Sequence, residues 1–394
     1  MKSQLRSDFA RRVFNPLFMS CLILCFGLYL GGNAATGLVQ AWQEGRQSRA
    51  SQLDAPAVPT EALPAPPQTD QEVASLTVNP QAVFTVSNTN DSGSGSLRQA
   101  ITSALGAGAG PHFIEAGGVT GTISLQSALP TITNSTITIN GPTSGTLTVT
   151  RGVAANFRIF TVTNASGAAS LTINRLTMTN GNPGTGTSDN GGAISVTDSA
   201  LTLNFCTISG CSAGGQGGGV NAEGTTGATL VINFCTISGN TAASSLGGGV
   251  CVRMNSVAPS PISTLLMTNS TVSGNTVTGG GAGGVNLTYT AGTFRNCTIS
   301  GNSSGAGNAG GISVASVSSL AMTNCTMTNN RCASGSLGGG IRSLSGNSVT
   351  LTNTLVVGNF NGPTGTTADD TSWTNGTGTF TAVNSDWRRW RWRF

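Results

Sequence analysis

Between residues 76 and 386 only two acids are adjacent, Asp369 and Asp370. They are therefore the first candidates for acid/base work. Cleaving a glycosidic bond by hydrolysis needs two carboxylates about 5–10 Å apart across it, and elimination needs a base beside a carboxylate-held cation. As strand neighbours Asp369 and Asp370 would face opposite sides. Their Gly/Thr-rich surroundings predict solvated loop charges instead. The other acids of that stretch, Asp91, Glu115, Asp189, Asp198, Glu223 and Asp386, share no spacing. His112, the single histidine, follows Pro111 and has no evident partner as a base, so a structural or solvated role is expected. No catalytic residue, cofactor or metal ligand is assigned.

Thiols are the next candidates. Cys206, Cys235, Cys297 and Cys325 stand one whole repeat or more apart, without the short paired spacing of zinc ligands. Stacked in register, their Cβ atoms would sit near the strand spacing of about 4.8 Å, wider than the ~3.8 Å a disulfide prefers. They are expected to be reduced and inward, as small hydrophobes. Cys211, Cys251 and Cys332 fall near turns, with their pairing left open. The glycine clusters are turns and not phosphate loops, because none precedes a helix or ends in Lys-Ser/Thr.

What must position any such group is a repeat. Aligning Leu176-Thr177-Met178, Cys206-Thr207-Ile208, Cys235-Thr236-Ile237, Ser270-Thr271-Val272, Cys297-Thr298-Ile299, Cys325-Thr326-Met327 and Thr354-Leu355-Val356 gives steps of 30, 29, 35, 27, 28 and 29 residues. Each unit runs from a glycine cluster such as Gly247-Gly248-Gly249-Val250 through a loop, an alternating strand, an Asn, a short strand and a Gly-Asn exit. Units of three short strands with no helix cannot each close a core, but stacked coils can. The fold class is all-β, a right-handed parallel β-helix over 83–385. Gly and Asn suit its corners because they tolerate left-handed backbone. Asn269, Asn296, Asn324 and Asn353 fill one corner, Asn174, Asn204 and Asn233 the place before it, and Asn240, Asn275, Asn302, Asn330 and Asn359 the next; stacked Asn can bond in columns. Less regular coils are expected at 122–125, 135–139, 145–149 and 157–162. Ser96 with Gln99 three residues on makes a capping box, and Leu97, Ala100, Ile101, Ala104 and Leu105 follow helical spacing, so a short helix over 96–105 covers the N-terminal end.

The ends differ from the body. Residues 1–35 carry Lys2, Arg6, Arg11 and Arg12 against Asp8, then an apolar run at 17–30 and small residues at 31–35. That order is a secretory signal, cleaved after residue 34 or 35. The alternative is an uncleaved anchor over 17–39, the one membrane contact foreseen. Either puts the remainder outside the cytoplasm, in the envelope or extracellular. Residues 36–82 form a Pro/Ala/Gln-rich linker, and 386–394 an Arg/Trp tail. The formal charge of +4 resides at the termini, because 76–386 holds eight arginines and eight acids. A neutral body without a basic stripe excludes nucleic acid as partner.

The run VSNTNDSGSGSLRQAI at 86–101, Gly191-Gly192-Ala193-Ile194, and the Cys-Thr-Ile-Ser-Gly-Asn of 235–240 and 297–302 resemble bacterial β-helix repeat proteins. Similar repeats build the chlamydial polymorphic outer-membrane proteins. The resemblance spans 83–385 and implies a surface-exposed or secreted adhesive passenger without catalytic residues. It departs from the pattern after Val383, where the remaining residues leave no room for a membrane barrel.

One surface pattern recurs in register. Thr207/Ser209, Thr236/Ser238, Thr271/Ser273, Thr298/Ser300 and Thr326/Thr328 flank inward Ile, Val or Met, and so point outward as two hydroxyl columns. Column members would lie about 4.8 Å apart between coils and about 6.7 Å apart along a strand. They are the candidate binding residues, for a glycan or a host or cell surface, or secondarily for ordering water at ice. The expected function is adhesion or envelope scaffolding without catalysis. A polysaccharide lyase or hydrolase on the same scaffold is the alternative, and acids clustered beside Arg or His would favour it.

Overall fold

The computed structural model describes residues 81–164, 169–244, 246–255, 263–374, 377–387 and 390–393. By contacts the chain divides into residues 1–75 and 76–394, and the described residues belong to the second unit. The signal and nearly all of the linker lie outside the described residues.

Alternation creates the largest sheet. In Ala200–Asn204, Leu201 and Leu203 are fully buried while Thr202 and Asn204 stay half-exposed. The strand pairs in parallel and in register with Ser170–Asn174 on one side and Thr229–Asn233 on the other, so Leu171, Leu201 and Leu230 stack. Repetition builds sheet 1, of 11 strands. Sheet 2 has 10 strands and is made of the Thr-Ile-Ser triplets; sheet 3 has 7 and sheet 4, following the glycine clusters, has 9. Since a crossover between parallel strands of one sheet is right-handed in about 98 % of cases, the winding is a right-handed parallel β-helix. Its interior is one continuous apolar cluster running from Val86 to Trp373, with Phe160 and Phe294 the largest fully buried side chains.

Sheet 3 was not foreseen. The central coils have four strands rather than three, the extra one being as short as Thr241–Ala242 or Thr276–Val277. Two residues are too few to show a period. The ladders also continue past 385: Asp386–Trp387 pairs with Leu355–Val356, and Trp390–Arg393 pairs with Thr371–Thr374.

The corners follow sterics. Asn269, Asn296, Asn324, Asn353 and Asn384 hold φ of +48 to +54° where sheet 1 turns into sheet 2. Helix α1 (Leu97–Gly106) begins one residue later than expected. Ser96 accepts at its side chain from the Gln99 N–H, and Leu97, Ala100, Ile101 and Ala104 are buried against the first two strands of sheet 1. Gln99 turns to Ser103 and leaves the Ser96 N–H to Gly93, so only half of the capping box forms.

Candidate functional site

The outward hydroxyls lie as the repeat demands, and their columns are longer than the sequence suggested. Pairing in sheet 2 sets Thr122, Thr148, Thr177, Thr207, Thr236, Thr271, Thr298 and Thr326 in one register, ended by Leu355. Ser124, Thr150, Thr179, Ser209, Ser238, Ser273, Ser300 and Thr328 form the second. Between them Ile208, Ile237, Val272, Ile299 and Met327 are buried in the core, which fixes the outward direction of the flanking residues.

At the corner beside this face, Phe205 and Phe234 replace the usual Asn at φ +56° and +54°. A bulky residue there is strained by about 1–3 kcal/mol. Both are more than half exposed, at 56 % and 52 %, and their rings stack with centroids 4.9 Å apart.

The inner corner is polar and closed. Asn240, Asn275, Asn302, Asn330 and Asn359 are fully buried. Each donates from Nδ2 to the Oδ1 of the next, at 2.8–3.0 Å, and the last donates to Asp370 Oδ1 at 2.9 Å. Asp369 and Asp370 are thus not solvated loop charges; they are 2 % and 1 % exposed. They occupy the positions that Gly339 and Gly340 hold one coil earlier, where a Cβ would strike the coil above. Asp369 Oδ2 accepts from the Gly338 N–H at 2.9 Å, and burial raises its carboxyl above the usual range. His112 is buried too, with Nε2 3.2 Å from Gly108 O and its ring edge-on to Phe84.

The cysteine column belongs to the apolar core, as expected of small hydrophobes, and also makes hydrogen bonds that were not foreseen. Cys206, Cys235, Cys297 and Cys325 are buried and free, as expected. Each sulfur, however, reaches back to backbone: the Cys206 N–H donates to Cys235 Sγ, and Cys235 Sγ donates to Leu203 O. Ser270 and Thr354 do the same with hydroxyls. The column is one of short hydrogen-bonding side chains serving corner groups that the strands leave unpaired. Cys211, Cys251 and Cys332 are free and buried as well. Burial pushes their thiols up to about 11, 12 and 12 respectively, and at Cys332 the Asp369 charge adds to it. Because all seven sulfurs are buried away from reagent, and the thiolate is the reactive form, they should resist a maleimide at pH 8 until denaturant is added. Rapid native labelling of the Cys206 column would contradict this packing.

A third group was missed from the sequence. Register places Glu223 beside Arg253 on the outer face of sheet 4. Asn190 Nδ2 donates to Glu223 Oε1 at 3.0 Å, Arg253 donates to Gln216 Oε1 at 3.1 Å, and Arg158 Nε donates to Asn190 O at 3.0 Å. Burial lowers the Arg158 pKa, against the pull of Asp189 and Glu223. Aligning the glycine clusters would have revealed part of it, since Glu223 and Arg253 stand equally far beyond Gly219 and Gly249.

Among the described residues no helix is long and apolar enough to cross a membrane. The right handed beta helix region matches residues 162–377, more than half of the chain. No curated protein matches it. Among solved structures it is similar to PfbA, a surface adhesin of Streptococcus pneumoniae, at 11 % identity over 75 % of this chain and 87 % of that chain, with a TM-score of 0.30. A likeness of that degree carries nothing about ligands.

Proposed function

The chain belongs to the right-handed β-helix family, and from that premise we propose a non-enzymatic adhesive or scaffolding protein of the cell envelope, whose sheet 2 face engages a glycan or cell surface. The observation that carries this reading is the pair of hydroxyl columns, in register from Thr122/Ser124 to Thr326/Thr328. Single exposed hydrogen bonds contribute on the order of 1 kcal/mol, so affinity must come from repetition, and this face repeats paired hydroxyls over eight coils. The exposed Phe205/Phe234 pair gives it an apolar edge suited to the C–H faces of sugars. Export rests on the signal expected at 1–35, and kinship with polymorphic outer-membrane passengers rests on the sequence motifs.

The test is to replace Thr236, Thr271 and Thr298 together by Lys. Their side chains point outward, so the fold should survive while adsorption to cell-wall or host-glycan preparations falls at least about 10-fold, the effect of losing roughly 1.4 kcal/mol. Unchanged adsorption, or recovery of the chain solely from the cytosol, would remove the reading. The second reading, a polysaccharide lyase or hydrolase, draws on Asp189 and Glu223 acting on Arg158. Release of reducing ends that vanishes in Glu223→Gln would establish it.

A further inference from the structure

Sheet 4 carries a cluster that neither the hydroxyl face nor the core uses. Val220 and Ala222 are core residues, so Asn221 and Glu223 point outward, and register sets them against Cys251 and Arg253. Gln216 lies across these positions, its Oε1 accepting from Arg253 at 3.1 Å and from Cys251 Sγ at 3.6 Å. Asn190 ties the cluster to the preceding coil, donating to Glu223 and accepting at Oδ1 from the Gln216 N–H at 2.9 Å. Behind this network Asn221 is fully buried, and neither side-chain polar atom has a partner. The buried Nε of Arg253 has none either. Buried polar groups are nearly always satisfied in native proteins, because an unsatisfied one loses its hydration without replacement. Such a set on an outer face points to something that binds there.

The chemistry of the ligand follows from the donor and acceptor inventory. Arg158 and Arg253 cancel Asp189 and Glu223, so a charged ligand gains no net attraction. Donors and acceptors alternate: carboxylate, guanidinium and amide. A hydroxyl both donates and accepts, so a polyol can satisfy neighbours of opposite character, whereas an anion would meet two carboxylates and an apolar group would strand every charge. We propose that this patch binds an uncharged saccharide, with adjacent hydroxyls bridging Glu223 and Arg253 and the Gln216 side chain moving aside to open Asn221. The site is separate from the hydroxyl face, which belongs to sheet 2.

Calorimetric titration of the full chain with neutral hexasaccharides of β-glucan, xylan and mannan, and with hexagalacturonate, tests it. At least one neutral hexasaccharide is expected to bind below about 1 mM, more tightly than hexagalacturonate. Glu223→Gln and Arg253→Lys should each weaken it about 10-fold or more, the loss expected for a hydrogen bond to a charged group. The two positions are half-exposed, so melting temperatures should stay close to wild type, and if one variant fails to fold the other is read alone. The triple Lys substitution on sheet 2 should leave this binding unchanged, which separates the two sites. No neutral binding up to about 10 mM, preference for hexagalacturonate, or affinity unaffected in both variants would overturn the proposal.

Discussion

Asn302→Leu should lower folding stability by roughly 4 kcal/mol, although the two side chains have the same number of heavy atoms and the same branching. Asn302 is fully buried at the middle of the inner amide column. Its Oδ1 accepts from the Asn275 backbone N–H at 3.0 Å and from Asn275 Nδ2 at 2.9 Å; its Nδ2 donates to Val272 O at 3.0 Å and to Asn330 Oδ1 at 2.9 Å. Leucine fills the space and serves none of these. The Asn275 N–H and Val272 O then have no water to turn to, and at about 1–3 kcal/mol each they account for most of the loss. Asn296→Gly is the control. It keeps the left-handed backbone, φ +54°, and removes only exposed side-chain bonds at 3.1 and 3.3 Å, so it should cost less than about 1 kcal/mol. Urea midpoints at unchanged m-value measure both. Similar losses in the two variants would mean that burial of the column does not matter.

The periodic part of this column was legible because every coil repeats it. Its end was not. Asp370 lies 11 residues after Asn359 instead of a full turn, so no alignment could assign it to the Asn position, and an acidic pair among Gly and Thr reads as solvated. A second column, on the outer side of sheet 1, has the same design in reverse. Asn233, Asn204, Asn174 and Asn140 each donate toward the N-terminus, and Asn140 ends on Glu115 Oε1 at 2.7 Å. In both columns the last N–H meets a carboxylate, a charge-assisted bond stronger than the amide pairs before it. Two of the scattered acids thus gain a structural role only through register.

The same limit explains what was missed at the sites. The hydroxyl face follows from a period of two and was readable from Thr-Ile-Ser alone. The sheet 4 cluster joins residues of different repeats through loops of unequal length, so apart from Glu223 and Arg253, equally placed beyond their glycine clusters, its members share no spacing. The Cys column was readable as inward, because neighbouring positions fix its direction. Its hydrogen bonds were not, since they depend on how far the corner turns. The presence of Ser270 and Thr354 at the same position was the available clue: a site that accepts thiol and hydroxyl alike selects for a hydrogen bond, not for hydrophobicity.

Gly248→Ala should be the more damaging change, at least about 4 kcal/mol, because no relaxation is open to it. An added Cβ would lie 2.4 Å from Gly283 O and 2.5 Å from both C and O of Thr276, all backbone atoms of the next coil. Those atoms cannot retreat. The Gly248 N–H donates to Ala282 O at 3.0 Å and the Gly249 N–H to Gly283 O at 3.1 Å, and Asn275, packed under Gly249, belongs to the inner column. Separating the coils would break both sets of bonds, which places the substitution beyond ordinary overpacking of about 1–3 kcal/mol. Gly239 is a glycine for the opposite reason. Its φ is +62° with nothing within 4 Å of a Cβ, so Gly239→Asn, which tolerates that backbone, should cost less than about 1 kcal/mol. In a solenoid each coil is held mainly by its neighbours, so the damage from Gly248→Ala should be local. Hydrogen exchange should show amides near Val250 and Val285 opening together, while those near Ile139 keep their protection. Uniform loss along the stack, or equal stability of the two glycine variants, would show that close approach of the coils at this corner is not what requires glycine.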